Sequence, residues 1–201
     1  MKKILHIISS PRTSSSLSRR LGSIVVEKIT EKYPDSGIKV RDLVQLSFPH
    51  LTEGHIDAFF TPEENRSPSQ QSDVHLSDEL VSELEESDII VVEAPMYNFT
   101  ITSTLKAYFD HIARAGKTFR YIGHGYLPQG LLKDKEAYII VSSGGIYSKG
   151  NLKKYNYLES YVAFFLSLIG IRVVNVFRAE GQAILGPEKA LERGIASIRI
   201  D

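Results

Sequence analysis

Lys3-Ile4-Leu5-His6-Ile7-Ile8-Ser9-Ser10-Pro11-Arg12-Thr13-Ser14-Ser15-Ser16-Leu17-Ser18 begins as an apolar run, passes through a hydroxyl-rich connection and enters a helical pattern. A nearly continuous apolar run of this length reads as a parallel strand buried on both faces. The Met1-Lys2-Lys3 start imitates the charged end of a signal peptide. The apolar run that follows is only five residues long, contains His6 and leads into Ser9-Ser10-Pro11-Arg12. A signal peptide would continue into a longer apolar core and a small-residue cleavage site, so the segment is a first strand. Beyond the connection, Leu17, Leu21, Ile24, Val25 and Ile29 share one face of an amphipathic helix.

The same alternation extends outward along the chain. Further β-rich runs occupy Ile38–Leu43, Ile89–Ala94, Ala137–Val141 and Arg172–Phe177. Between them, Leu76, Leu80, Val81 and Leu84 mark a helix with Ser77 as its N-cap and Glu79 in its first turn. Leu105, Tyr108, Phe109, Ile112 and Ala113 mark another, with Gly116 as a stop signal. Tyr161, Val162, Phe165, Leu168 and Ile169 form a fourth, closed by Gly170, and a last helix starts near Pro187 with Leu191, Ile195 and Ile198. Strand–helix alternation of this kind predicts an α/β three-layer sandwich around a five-stranded parallel sheet. Right-handed crossovers leave few topologies, and the flavodoxin-like order 2-1-3-4-5 is the expected one, as a single domain over residues 1–201. The polar stretch Thr61–Ser72, with two prolines and Gln70-Gln71, reads as a mobile surface excursion, either a plain inserted loop or a lid.

Composition removes whole classes of function. The 201 residues carry 24 Lys plus Arg against 24 Asp plus Glu, a net charge of zero, whereas a nucleic-acid binder carries a basic surplus. No cysteine is present, which eliminates disulfides, thiolate nucleophiles and Cys-type zinc or iron–sulfur centres. No stretch reaches the ~18 apolar residues of a membrane span. The most apolar segment, Tyr161 to Ile171, is too short and is broken by Ser167. The expectation is a cytoplasmic protein with no membrane partner.

In a doubly wound sheet, ligands bind beyond the carboxyl ends of the strands. The first connection there holds six serines and a threonine within residues 9–18, just ahead of a helix N-terminus that already favours an anion. Neither G-x-G-x-x-G nor G-x-x-x-x-G-K-[ST] occurs, so a dinucleotide cradle and a P-loop are both disfavoured. A hydroxyl-lined loop suits a single phosphate monoester, such as FMN carries; the plainer reading is a solvated turn with an N-cap. The third run ends in Glu93-Ala94-Pro95-Met96-Tyr97-Asn98-Phe99-Thr100, and the fourth in Ser142-Ser143-Gly144-Gly145-Ile146-Tyr147. Aromatic and apolar side chains with an amide suit the face and edge of a flat ring. Paired glycines let backbone approach it. Met96 and Phe99 as ordinary core, and the glycines as a plain turn, are the alternatives to these readings. What favours a site is that all three loops lie at one sheet edge.

Three blocks give a specific resemblance: Ala94-Pro95-Met96-Tyr97-Asn98-Phe99; Ala113-Arg114-Ala115-Gly116-Lys117-Thr118-Phe119-Arg120-Tyr121; and Ser142-Ser143-Gly144-Gly145. Together with Phe165-Leu166-Ser167-Leu168-Ile169-Gly170-Ile171 and Ala179-Glu180-Gly181, they resemble the FMN-dependent NADH-azoreductase (NADH:quinone oxidoreductase) family, flavodoxin-like homodimers. The resemblance implies that Ser10, Ser16, Leu17 (by its backbone) and Ser18 hold the FMN phosphate. It also implies that Met96, Tyr97, Asn98 and Phe99, with Ser142, Ser143, Gly144 and Gly145, hold the isoalloxazine. Phe99, Tyr121 and Phe165 of the partner subunit are the implied aromatic residues over the flavin. The implied activity takes electrons from NADH or NADPH by a ping-pong hydride mechanism and delivers them to a quinone or azo acceptor. The flavin N5 then carries the chemistry, and no catalytic side chain is required.

Accordingly, no G-x-S-x-G elbow appears, and His6, His50, His55, His75, His111 and His124 lack metal-site spacing such as H-E-x-x-H. His124, between Gly123 and Gly125, belongs to a loop near the site. Two other classes compete. A flavodoxin-type electron carrier would be expected to show a charged docking face, which the balanced charge counts against. A phosphate-ester hydrolase would need a nucleophile–base pair or metal ligands. Tyr161 to Ile171 is apolar on nearly every helical face, which predicts a C2 dimer interface with the flavin sites at the subunit seam.

Overall fold

Residues 1–45 and 48–200 are described in the computed structural model. In chain order they form β1 (Lys3–Ile8), α1 (Leu17–Lys32), β2 (Gly37–Asp42), α2 (Glu53–Phe60), α3 (Pro68–Glu86), β3 (Ile89–Pro95) and α4 (Ser103–Ile112). A small hairpin follows, β4 (Phe119–Arg120) with β5 (Gln129–Gly130), then β6 (Glu136–Ser143), α5 (Tyr157–Leu168), β7 (Arg172–Glu180), α6 (Gln182–Leu185) and α7 (Pro187–Ala196). The five long strands are all parallel, in the order β2-β1-β3-β6-β7, which is 2-1-3-4-5 when only they are counted. The expected flavodoxin-like sheet is therefore present.

Strand alternation divides the core into two layers. Leu5 and Ile7 of β1 face one side of the sheet and join Leu80, Leu105, Phe109 and Leu166 from α3, α4 and α5. Ile4 faces the other side with Leu21, Val25 and Ile29 of α1 and Leu191 of α7. At ~1.5–3 kcal/mol for each fully buried large aliphatic side chain, these layers are the main favourable contribution to the fold. Their effect on function is to hold the carboxyl ends of β1, β3 and β6 side by side.

Thr61–Ser72 is not the loop the sequence suggested. Thr61 terminates α2, Glu63–Asn65 form a single 3-10 turn, and α3 has already begun at Pro68. The Ser67 side chain accepts from the Gln70 amide while the Gln70 side chain accepts from the Ser67 amide, a reciprocal cap with proline at the first helical position. Ser77 is consequently an interior residue of α3 and not its N-cap. Its hydroxyl donates to the His111 carbonyl and accepts 2.6 Å from Arg114 Nη1. The buried Arg114 guanidinium also meets Asp78 at 2.9 Å and lies 4.2 Å from the centre of the Phe59 ring, so α2 is fastened onto α3 and α4.

A pH dependence follows from the same corner. His111 is buried; its Nε2–H donates to the Pro49 carbonyl at 3.0 Å, and its Nδ1 has no partner among the described residues. Phe48, Phe59 and His55 surround the ring. Burial pushes the His111 titration below its ordinary value, and His55 and Arg114 add to the effect; the Pro49 carbonyl and Asp110 oppose it without reversing it. The unfolded chain, titrating near ~6.5, takes up the proton first, so this contribution to stability is present above about pH 6.5 and is lost as pH falls toward the folded value. Thermal melts should therefore show Tm falling between about pH 7 and pH 5. His111→Phe should flatten that slope, and an unchanged slope would rule out His111 as its source.

Candidate functional site

The connection after β1 is held by hydroxyls and one guanidinium. Ser16 caps α1 by accepting from the Arg19 amide at 3.3 Å, and it donates to Ser10 Oγ at 2.8 Å. Ser18 Oγ lies 3.1 Å from Ser16 Oγ, so Ser10, Ser16 and Ser18 form a continuous buried hydroxyl chain beneath the helix N-terminus. The Leu17 side chain is in the core, so what it can offer a ligand is its first-turn backbone N–H. Arg19 ties the loop to the sheet: its guanidinium donates to the Arg12 and Ser10 carbonyls at 2.8 and 2.9 Å and forks onto Asp42 at 2.7 and 3.1 Å. Neither Arg19 nor Asp42 was visible as part of a site in the sequence, since their pairing exists only once β2 lies beside β1.

The connection after β3 is a tight turn. Tyr97 and Thr100 exchange both backbone hydrogen bonds, at 2.9 and 3.0 Å, around Asn98 and Phe99, whose φ angles are +48° and +69°. Asparagine adopts this region readily, but a phenylalanine there is strained, and such strain tends to be kept where a ligand is held. The turn presents Phe99 edge-on to Tyr147, with 6.0 Å between centroids, and tilted against Tyr155 at 6.1 Å. These two tyrosines extend the aromatic wall; Tyr147 could have been noticed as the aromatic residue just after the paired glycines, whereas Tyr155 gave no signal.

The connection after β6 is pinned from β7. The Gly181 amide donates to the Ser143 and Gly145 carbonyls at 3.0 and 2.9 Å, and the Ala183 amide to Gly144 at 3.0 Å. Glu180 accepts from the Tyr147 and Ser148 amides at 2.8 and 3.0 Å and from the Ser148 hydroxyl. A Cβ on Gly145 would come 2.9 Å from the Tyr147 ring, so glycine is what allows this packing.

Ser10, Arg12, Ser16, Leu17, Met96, Tyr97, Ser142 and Gly144 line one cavity of about 300 Å³, together with Gln182 and Ala183 from the segment after β7. Tyr97 also borders a larger, mainly apolar cavity of about 700 Å³, lined by Asn98, Ile101, Lys106 and Tyr161 among others. One end of the site thus offers hydroxyls, a helix N-terminus and Arg12. The other offers aromatic faces and approachable backbone. That donor set suits a phosphate monoester attached to a flat heteroaromatic ring.

Comparison with known proteins agrees with this geometry. The family model of the flavodoxin-like fold matches residues 2–199. An FMN-dependent NADH:quinone oxidoreductase of Herminiimonas arsenicoxydans is 43% identical over 195 residues, covering 96% of this chain and 95% of that protein. One from a Marinomonas strain is 42% identical over 201 residues, covering 100% and 99%. The chain belongs to the FMN-dependent NADH:quinone oxidoreductase family. Among solved structures, an FMN-dependent NADH-azoreductase of Bacillus anthracis in complex with FMN superposes with a TM-score of 0.86 at 26% identity, covering 98% of this chain and 95% of that one. A second azoreductase from that species gives 0.87 at 25% identity, covering 98% and 96%.

For this member of the quinone oxidoreductase family, the aromatic residues expected over the ring divide into three cases. Phe99 stands at the turn and is 48% exposed. Tyr121, at the tip side of the β4–β5 hairpin, is 69% exposed and meets only Phe119 edge-on at 5.5 Å among the ring contacts of the described residues. Phe165 is 6% exposed and stacks one ring face on Phe109 at 4.1 Å, so within its own subunit it belongs to the core. The helical periodicity of α5 could not distinguish core from interface at that position. His124 is exposed in the hairpin loop between Gly123 and Gly125, both at positive φ.

Proposed function

We propose that this chain is an FMN-dependent oxidoreductase that takes electrons from NADH or NADPH and delivers them in ping-pong order to quinones and azo compounds. The observation that carries the reading is the convergence of three loops, after β1, β3 and β6, on one cavity with a phosphate-type donor set and an adjoining aromatic wall. Hydride acceptance and donation at N5 is the chemistry FMN supplies when bound. The protein's part is binding and orientation. Ser10, Ser16 and Ser18, with the Leu17 amide and the positive end of α1, meet a phosphate dianion. Met96 to Phe99 and Ser142 to Gly145 bound the ring plane and its edge, and exposed Phe99 and Tyr121 are the surfaces on which flat reductants and acceptors stack. One open face serving both partners in turn requires the first to leave before the second arrives.

The hydrolase alternative loses support from the loop itself: among the described residues, no imidazole or carboxylate is hydrogen-bonded to Ser10, Ser16 or Ser18. We further infer a single domain, a cytoplasmic location, where nicotinamide reductant is supplied, and a C2 homodimer with the sites at the subunit seam. Among the described residues no helix is long and apolar enough to cross a membrane. The outer face of α5 exposes Tyr157 and Phe164, next to exposed Leu152 and Tyr155, a patch suited to a second copy.

Purified protein incubated with FMN should be yellow, bleach on adding NADH under nitrogen and recolour with a quinone. Flavin that stays oxidised with both nicotinamides would favour the electron carrier, and failure to bind FMN would sink both readings. Sedimentation at micromolar concentration should show twice the 22.5 kDa chain mass, and a 22.5 kDa species alone would overturn the dimer.

A further inference from the structure

One buried hydrogen-bonded pair of titratable side chains plays no part in the contacts described so far. His6 of β1 and Glu93 of β3 are both enclosed, with His6 Nε2 and Glu93 Oε1 2.7 Å apart. They lie on the α1 side of the sheet, whose other residues there, Ile4, Leu21, Val25 and Val91, are apolar. Burying such a pair is seldom the most stable choice, because apolar residues of similar volume commonly do as well or better. Glu93 is incompletely satisfied even so: its Oε2 has no hydrogen-bond partner among the described residues.

The surroundings are nevertheless shaped to admit it. Gly22 of α1 passes directly over the carboxylate, and a Cβ there would stand 2.3 Å from Oε1 and 2.8 Å from Cδ. With the Glu93 side chain in this position, glycine is what lets the helix lie at this depth. The pair also sits where two functional loops leave the sheet. Ile8 is the register partner of Glu93, and Ser9, the first loop residue, donates its hydroxyl to the Glu93 carbonyl at 2.6 Å. Glu93 is thus bound to β1 through its side chain and to the phosphate-type loop through its backbone. Three residues further on, at Met96, its own strand has become the ring-facing loop.

We propose that His6 and Glu93 are a positioning pair that fixes the β1 and β3 loop ends relative to each other, so that the phosphate grip and the ring slot are set at matching distance. This rests on the FMN reading above. It makes the pair a requirement for phosphate affinity and not for folding, and that distinction can be measured. The hydrogen-bonded contact is lost but volume is kept in the double variant His6→Leu, Glu93→Met.

Its apo form should melt at or above the wild-type Tm, since the unsatisfied carboxylate is gone. Its FMN dissociation constant, read by quenching of flavin fluorescence, should rise by about tenfold or more, the size of effect that follows loss of a partner orienting a metal-ligating residue. Its affinity for riboflavin, which has no phosphate, should stay within about twofold. Glu93→Gln, which can still bond His6, should recover most of the FMN affinity. An unchanged ratio of FMN to riboflavin affinity in the double variant would overturn the proposal, and so would equal losses for both ligands. If the double variant does not fold, His6→Asn, which keeps a polar group but shortens the reach, is read by the same ratio with the same two outcomes. Wild-type protein that binds neither flavin would instead refute the FMN reading itself, a result distinguishable from any of these.

Discussion

Gly130→Ala is expected to destabilise the protein by about 3 kcal/mol or more. The β5 strand crosses the turn that follows α5, and a Cβ on Gly130 would lie 2.1 Å from Gly170 N, 2.4 Å from Gly170 Cα and 2.5 Å from Ile169 C. All three are backbone atoms, so no rotamer change relieves the clash. Gly170 cannot retreat easily either. It is held at φ +97°, its own Cβ position would lie 2.9 Å from the Leu132 carbonyl oxygen, and the Leu132 amide donates to Ile169 at 3.0 Å. Small-to-large changes cost about 1–3 kcal/mol when side chains can yield, so a backbone-on-backbone contact belongs at the top of that range or above it. For a chain of this size the Tm should drop by about 10 °C, measured by circular dichroism. Gly37→Ala is the control, since nothing lies within 4 Å of a Cβ there, and it should melt like the wild type. A Gly130→Ala melt within about 2 °C of wild type would show that the hairpin and the α5 turn can separate freely.

That contact also illustrates what the sequence could and could not reveal. β1, β3 and β6 were readable because burial on both faces leaves an unbroken apolar run, and α1 and α4 because one face repeats at helical spacing. The hairpin was not readable, since two residues per strand carry no periodicity; it exists because Phe119 and Arg120 find Gly130 and Gln129 against the end of α5. Thr61–Ser72 was misread for a different reason. Serines, prolines and glutamines signal a loop in bulk, yet Ser67-Pro68 with Gln70 three residues after the serine is a helix start when taken position by position.

The site divides along the same line. Hydroxyls clustered in ten consecutive residues and paired glycines are local facts, available before folding. Arg19 on Asp42 and Glu180 on the Tyr147 and Ser148 amides join positions 23 and 32–33 residues apart and appear only when the sheet is assembled. Phe165 shows the opposite limit: an apolar residue on an apolar helix carries no mark of which side it faces, and its stack on Phe109 exists only in the folded chain.

Ser10→Ala combined with Ser16→Ala is expected to produce the largest change in cofactor affinity. Ser16 performs two tasks that the double variant separates. As the N-cap of α1 it accepts from the Arg19 amide, and losing such a cap costs about 1 kcal/mol of stability, hence about 2–4 °C in Tm. As the centre of the hydroxyl chain it donates to Ser10 Oγ, which leaves the Ser10 proton for a ligand; a phosphate dianion would draw the Ser16 proton onto itself as well, and each such bond is worth about 1.5–3 kcal/mol. Two such bonds correspond to a weakening of FMN binding by about 100-fold at least, far beyond anything the modest loss of stability would cause. Riboflavin makes no use of these hydroxyls, so its affinity should be nearly unchanged, and the two flavins should converge in dissociation constant when titrated by fluorescence quenching. A loss of FMN affinity below about threefold would mean that the phosphate is held elsewhere. Equal losses for both flavins would mean that α1 had shifted as a whole. Convergence of the two is the outcome that assigns the hydroxyl chain to phosphate recognition, because only the presence of the phosphate distinguishes the ligands.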